Sequence, residues 1–339
     1  MKPTDFAYYL TNFFTKYLPG ECGVSTNTVS SYRDTFLLFS AFIRDEKGKV
    51  IERIHLKDIN KELITDFLNW IEAGRKCSIP TRNVRLTAIH SFFRYLQYEY
   101  PDFLLEWQKV LAIPVKKGER GTLNYMSLEG IKLLLEMPDQ RTRSGRRDLA
   151  LLSLMYVTAA RVQEIADLTP SMVHLPKPST IKLTGKGNKT RIVPLMEKQV
   201  DILERYMLEN KLNAPYANQY PLFFNKRKEK LTRAGIGYIL DKYVTMARTK
   251  DASLIPPKFS CHCLRHSKAM HMLQSGVNLV YIRDILGHVS VQTTEIYARA
   301  DSRKKREAIE QAYTDVAPDI KPQWEGNQDL IEWLRSFNK

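Results

Sequence analysis

Apolar residues recur every three or four positions through most of this chain, and the stretch TIKLTGKGNKTRIVPL, Thr180 to Leu195, breaks that rhythm. Its two ends alternate as strands do, and the Gly-Lys-Gly-Asn between them is turn chemistry, so it reads as one β-hairpin. With helical spacing on both sides, the expected fold is mainly α with a small antiparallel β-hairpin or sheet.

On the N-terminal side, Phe6 to Tyr17 is rich in aromatics at helical spacing. Ser25-Thr26 can cap a helix carrying Val29, Tyr32, Phe36, Phe39 and Ile43. Leu63, Phe67, Trp70 and Ile71 mark a third helix, stopped near Gly74. In TRNVRLTAIHSFFRYLQYEY, Val84, Ala88, Phe92 and Leu96 form a stripe; Arg82, Arg85 and Arg94 fall off it and are expected to project outward. Pro114 to Gly121 is polar without apolar period, as a linker would be. Beyond it, Ser127 caps one helix, a second starts near Arg147, Thr232 caps another, and helical spacing continues to about Tyr313. The expected division is a helical domain over 1–113, a linker over 114–124, a mixed domain over 125–314 and a tail over 315–339.

The tail reverses the charge of the rest, with five acids against three bases from 313 to 339, and ends in Leu330, Ile331, Trp333, Leu334 and Phe337. Such a cluster of large apolar groups is expected to pack on its own domain or on a neighbouring subunit.

Lys and Arg number 52 against 37 Asp and Glu, a net charge of +15, which favours a polyanionic partner such as nucleic acid. An anionic membrane is the weaker rival, because neither a basic amphipathic anchor nor an 18-residue apolar run is present. No export signal opens the chain, and four cysteines make no disulfide framework, which fits a reducing, cytoplasmic compartment. Cys261-His262-Cys263 has zinc-binding side chains, but adjacent residues cannot all converge on one ion; no metal or cofactor is expected.

Four segments carry chemistry. TAARVQEIADL places Arg161 before a short helix; the hairpin turn carries Lys186, with Lys189 as a rival; CHCLRHSKAMHML sets His262 and Arg265 three apart on one helical face; LGHVSVQTTEIYARA holds His288 and Tyr297. Each segment alone reads more readily as structural. Together, two arginines, a lysine, two histidines and a tyrosine are what metal-free phosphoryl transfer requires. Arginine forks hold the non-bridging oxygens, a histidine takes the tyrosine's proton and a lysine protonates the leaving oxygen.

In this order, through A-R-x-x-E-I, T-G-K-G-N-K-x-R-x-V-P, H-x-L-R-H and L-G-H-x-S-x-x-T-T-x-x-Y, the chain resembles the tyrosine site-specific recombinases of the phage integrase family. The resemblance covers about residues 127–300 strongly and 1–112 more loosely. It implies a C-shaped clamp on duplex DNA, made of a helical core-binding domain and a mixed α/β catalytic domain. Tyr297 would form a 3′-phosphotyrosyl link, Arg161 and Arg265 would hold the phosphate, and Lys186 would be the general acid. His262 would act in acid–base transfer, and His288 would bind the phosphate or position the tyrosine. Arg82, Arg85 and Arg94 become candidate DNA contacts in the first domain, and Lys226, Arg227, Lys228, Lys230 and Arg233 in the second. The resemblance also implies a tetramer on two duplexes that exchanges C-terminal segments in trans, with accessory proteins as further partners. No arm-binding module precedes Phe6, which suggests short core sites. Ala159-Ala160 departs from the family's usual glycine, and Ser267-Lys268 from its usual threonine and apolar residue. Mobile-element integration, excision or transposition is the expected role, with Xer-like dimer resolution or type IB topoisomerase-like relaxation as alternatives. A binding-only regulator would have no physical need of the tyrosine.

Overall fold

The computed structural model describes residues 3–118, 123–300 and 330–337, with the exception of the Lys186 side chain. The chain divides into two compact units, Met1–Gly121 and Thr122–Lys339.

In the first unit, α1 (Asp5–Asn12) begins where the Thr4 hydroxyl accepts from the Ala7 N–H. It does not run on to Tyr17 as an α-helix. A wider π-type turn follows over Phe13–Glu21, and it contains Pro19, which has no N–H to continue the ladder. Helices α2 (Thr26–Lys47), α3 (Lys61–Ala73), α4 (Ile79–Glu99) and α5 (Leu104–Leu111) complete the unit, with Ser25, Asn60 and Ser78 as N-caps. Aromatic side chains dominate the core: Phe6, Phe13, Phe39, Phe67 and Phe92 are all buried. Phe13 meets Phe92 edge-on at 5.3 Å, a geometry that adds about 1 kcal/mol to the area it buries.

Helix α4 packs against α2, α3 and α5, so its buried surface is wider than one stripe. Leu86, Ile89 and Phe93 are buried as well as Ala88, Phe92 and Leu96, while Val84 is exposed. Arg82 lies on the row of Leu86, Ile89 and Phe93, and this corrects the expectation that it projects outward. It is buried, and its Nη1 donates to the Pro114 carbonyl and to Asn83 Oδ1, both at 3.2 Å. Arg85 is half-buried, and its Nη1 donates to the Ser31 carbonyl and Thr35 Oγ1 on α2. Arg94 is exposed. The polar segment after Pro114 starts as a strap on this unit. Asn83 and Lys116 exchange two hydrogen bonds, and Lys116 Nζ reaches Glu72 at 2.7 Å.

The second unit opens with α6 (Leu128–Glu136), capped by Ser127, and α7 (Arg143–Thr158), which starts earlier than Arg147 because Thr142 caps it. The short α8 (Val162–Ala166) leads to strands β1 (Val173–His174), β2 (Thr180–Thr184) and β3 (Thr190–Pro194). The hairpin is β2–β3, with Thr184 opposite Thr190; two-residue β1 adds an antiparallel edge too short to leave a sequence pattern. Gly187 takes the left-handed conformation (φ 73°) that the turn needs. Helices α9 (Glu197–Glu209), α10 (Arg233–Lys250), α11 (Cys261–Gln274), α12 (Leu279–Leu286) and α13 (Glu295–Ala300) follow. Ile181, Leu183 and Val193 bury the inner face of the sheet in the main core of this unit, and Arg191, two residues before Val193, lies on the same face. In the expected tail, a short helix spans Leu330–Ser336 with Leu330, Leu334 and Phe337 exposed; residues 301–329 lie outside the described residues. No described helix is long and apolar enough to cross a membrane.

Candidate active site

Arg161 is the N-cap of α8, and Glu164, three residues on, receives its backbone N–H at 2.8 Å and its Nη1 at 2.9 Å. The same carboxylate takes both terminal nitrogens of Arg191 from β3. Burial alone would push the Glu164 carboxyl up; Arg191 and Arg161 outweigh it and hold the carboxyl below its ordinary range. Arg191 Nε also donates to the Ile285 carbonyl at 2.7 Å, and Arg161 Nη2 to the Gly287 carbonyl at 3.3 Å. The hairpin, α8 and the end of α12 are thereby joined through one buried carboxylate.

Ser260 caps α11, whose second, fifth and sixth residues are His262, Arg265 and His266. Arg265 is buried, with Nη1 on the Ala159 carbonyl at 2.7 Å and Nη2 on the Leu286 carbonyl at 2.6 Å. Ala159 holds the left-handed conformation (φ 49°), so the alanine that departs from the family's glycine stands where glycine would be unstrained. Burial, reinforced by Arg161 and Arg191, lowers the Arg265 guanidinium to about 10, which leaves it charged at neutral pH.

Tyr297, on α13, is 1% exposed and packed among Ala159, Met270, Ile282 and Leu286. Its Oη lies 2.9 Å from Nδ1 of His266, the last residue of the H-x-L-R-H motif and one without a role among the expected site residues. Burial raises the phenol to about 12, against the downward pull of Arg265 and Arg161. Burial also lowers His266 to about 4, helped by His262 and Arg265, and so it is neutral. The His262 ring stands edge-on to His266 at 4.2 Å. Four-residue spacing places the two on one helical face, and that spacing was the signal in the sequence that could have drawn attention to His266. His262 is exposed on one side, and the partial loss of water around its ring, followed by Arg265 and Arg161, lowers its pKa.

His288 follows the α12 C-cap, Gly287, and its Nδ1 lies 2.9 Å from Thr294 Oγ1. The Thr294 carbonyl in turn accepts the Tyr297 N–H at 3.1 Å, so this buried threonine connects the histidine to the tyrosine's helix. Burial and then Arg265, Arg161 and Arg191 lower His288 to about 4.

Arg161, Lys189, Arg191, Arg283 and His288 line an open cleft of about 990 Å³. His262 lines a neighbouring one of about 610 Å³ with Arg233 and Cys261. Lys186 is on the hairpin turn, but its side chain lies outside the described residues, whereas its rival Lys189 faces the first cleft. Arg161, His262, Arg265, His288 and Tyr297 thus fall in one connected region. Two fixed guanidiniums beside a phenol and neutral imidazoles can hold an anionic oxygen and move a proton. Among the described residues no cluster of His, Cys, Asp or Glu could hold a metal ion.

Residues 124–304 match the Phage integrase family, and residues 12–100 match the phage integrase N-terminal SAM-like domain. The chain belongs to this family, the tyrosine recombinases. Members of the family cut and rejoin DNA strands. A Sinorhizobium fredii protein named as an integrase/recombinase, y4rC, is 36% identical over 338 residues, 99% of each chain. Tyrosine recombinase XerD of Listeria monocytogenes is 30% identical over 303 residues, 88% of this chain and 96% of that one. Among solved structures, XerH bound to palindromic difH substrate aligns with a TM-score of 0.68 at 23% identity, over 83% of this chain and 78% of that one. The Tn1549 transposon integrase in complex with circular intermediate DNA aligns with a TM-score of 0.67 at 14% identity, over 92% of this chain and all of that one. At these identities the likeness speaks for the fold.

The recombinase's remaining candidate DNA contacts fall into two groups. Lys226, Arg227, Lys228, Lys230 and Arg233 are all exposed around a turn that Asn225 holds by accepting the Arg227 and Glu229 N–H groups. Within it, Lys230 pairs with Asp167, and Lys228 lies over the Phe224 ring at 4.6 Å. In the first unit only Arg94 of the three expected arginines is exposed, since Arg82 and Arg85 are held by main-chain carbonyls.

Proposed function

We propose that this recombinase cuts and rejoins duplex DNA through a 3′-phosphotyrosyl link on Tyr297. The observation that carries the reading is the hydrogen bond, 2.9 Å long, that ties Tyr297 Oη to α11 beside Arg265, whose guanidinium spans the Ala159 and Leu286 carbonyls while Arg161 reaches the adjacent Gly287 carbonyl. In this reading the two guanidiniums hold the non-bridging oxygens and neutralise charge that grows at phosphorus. Tyr297 Oη displaces the 5′ oxygen, Lys186 protonates that oxygen, His262 takes part in the proton transfers and His288 steadies the phosphate or the tyrosine's helix. The link conserves the energy of the phosphodiester, so rejoining needs no ATP. Arg94 and the Lys226–Arg233 turn contact the duplex backbone, and their exposure supports that role. Four protomers act on two duplexes, and the Leu330–Ser336 helix docks on a neighbouring subunit through its exposed Leu330, Leu334 and Phe337.

The biological role that fits y4rC's full-length likeness is integration, excision or transposition of a mobile element in a bacterial cytoplasm; the XerD relatives favour dimer resolution as the second reading. The deciding experiment is covalent trapping on a nicked suicide duplex built from sequences flanking the gene. Tyr297→Phe should abolish the adduct and keep DNA binding; an adduct that survives moves the nucleophile elsewhere. Deleting residues 323–339 should abolish assembly on paired duplexes while leaving single-duplex binding intact, and unaltered assembly would remove the tail from this role.

A further inference from the structure

We propose that His266 is a further catalytic residue of this recombinase, the base that takes the hydroxyl proton of Tyr297 during attack and returns it during rejoining. The proposal rests on Tyr297 being the nucleophile. Oη and Nδ1 are 2.9 Å apart, inside the reach that a general base requires. Tyr297 is 1% exposed, so its hydroxyl has no bulk water to accept the proton as the phenol ionises; the imidazole nitrogen is the acceptor bonded to it. Among the described residues, the groups that act on His266 are His262 and Arg265 from its own helix and Tyr297 from α13, none of them a carboxylate, and this setting keeps the ring unprotonated and able to receive. An incoming phosphate supplies the missing negative charge and raises the basicity of the ring as the reaction begins. His262 stands edge-on to His266 at 4.2 Å and is exposed. The ring hydrogen-bonded to the phenol is that of His266.

The step balances. The Oη–P bond forms as the P–O5′ bond breaks; the phenolic proton passes to His266 Nδ1, and the departing 5′ oxygen takes its proton from the separate acid, Lys186 in the reading above. On rejoining, the 5′ hydroxyl attacks, the Oη–P bond breaks, and His266 returns its proton to Tyr297.

His266→Asn separates this role from a structural one, because the amide oxygen can accept the same hydrogen bond but cannot take the proton. Single-turnover adduct formation is measured on the suicide duplex that the wild-type protein cleaves, and again on the same duplex with sulfur at the bridging 5′ position. Sulfur leaves without a proton, so it relieves defects of the acid but not of the base. A loss of about 10²-fold or more on both duplexes, with duplex binding intact, is expected. A rate within threefold of wild type, or a loss that sulfur restores, overturns the proposal. If the variant does not fold, ¹⁵N-histidine NMR of the wild-type chain decides: the His266 signal should report an unprotonated, hydrogen-bonded Nδ1 at neutral pH, and a protonated Nδ1 overturns it. Failure here is distinct from failure of the nucleophile assignment, which would appear as an adduct on Tyr297→Phe.

Discussion

Arg191 and Glu164 meet at two points, Nη1 on Oε1 at 2.8 Å and Nη2 on Oε2 at 2.7 Å, with only 11% and 2% of their side chains exposed. Losing Arg191 removes two charged hydrogen bonds from the buried Glu164 carboxylate and leaves it Arg161 as a partner, which costs about 1–3 kcal/mol. Arg191→Met is therefore expected to destabilise the second unit by that order in denaturant unfolding. The double variant Arg191→Met/Glu164→Gln should lose less than the sum of the two single changes. Strict additivity would mean that the two residues act independently.

The lowered pKa values of two half-buried histidines imply an acid transition. His266 and His288 sit at about 4 in the folded chain against an ordinary 6.5. The unfolded chain therefore binds these protons first, and the stability they leave intact at neutral pH is lost as pH falls from about 6.5 towards 4. Glu164, held below its ordinary 4.5, adds stability that is present above that value and lost as pH falls through its folded pKa. The melting temperature should drop between pH 7 and pH 5, and drop less in His266→Asn/His288→Asn. An equal drop in both proteins would assign the transition to other groups.

Gly287 ends α12 at φ 62°, and a Cβ there would lie 3.0 Å from Arg191 Nη1 and 3.2 Å from its Cδ. Gly287→Ala should cost about 1–2 kcal/mol for the left-handed backbone alone. It should also displace Arg191 and slow cleavage by more than the loss of stability explains. Thermal unfolding and adduct formation, measured together, test this, and unchanged cleavage would separate the glycine from the site.

Arg82 and Arg94 share a helix and are expected to behave oppositely. Arg82→Ala breaks the buried bond to the Pro114 carbonyl, so it should reduce stability by about 1–3 kcal/mol and leave duplex affinity unchanged. Arg94→Ala should leave stability alone, weaken binding to all sequences and lower the salt-dependence slope by about 1. Fluorescence anisotropy on duplex DNA at several salt concentrations, paired with melting, distinguishes them.

The hairpin, the Ser25, Ser127 and Thr232 caps and the order of the reactive side chains could all be read in the sequence, because each depends on residues close together in the chain. Arg82 could not. Its burial depends on α2, α3 and α5 enclosing α4, and on a strap from residue 114 covering its end, both of which are tertiary facts. β1 went unseen because two residues carry no period. His266 was visible as a letter, but its partner lies 31 residues away, and only the packing of α13 against α11 brings the two together. Arg191 is likewise present in the hairpin motif without a role, since its pairing with Glu164 spans 27 residues.

Arg265 holds the carbonyls that close α7 and α12, where each helix concentrates its partial negative charge. It is therefore a strut as much as a hand for phosphate. A descendant of this chain that had given up cutting DNA would still need a cation there to keep two helix ends from repelling each other. Retention of this arginine in a silent paralogue would say little about activity; Tyr297 and the imidazole beside it are the positions where abandonment would register first.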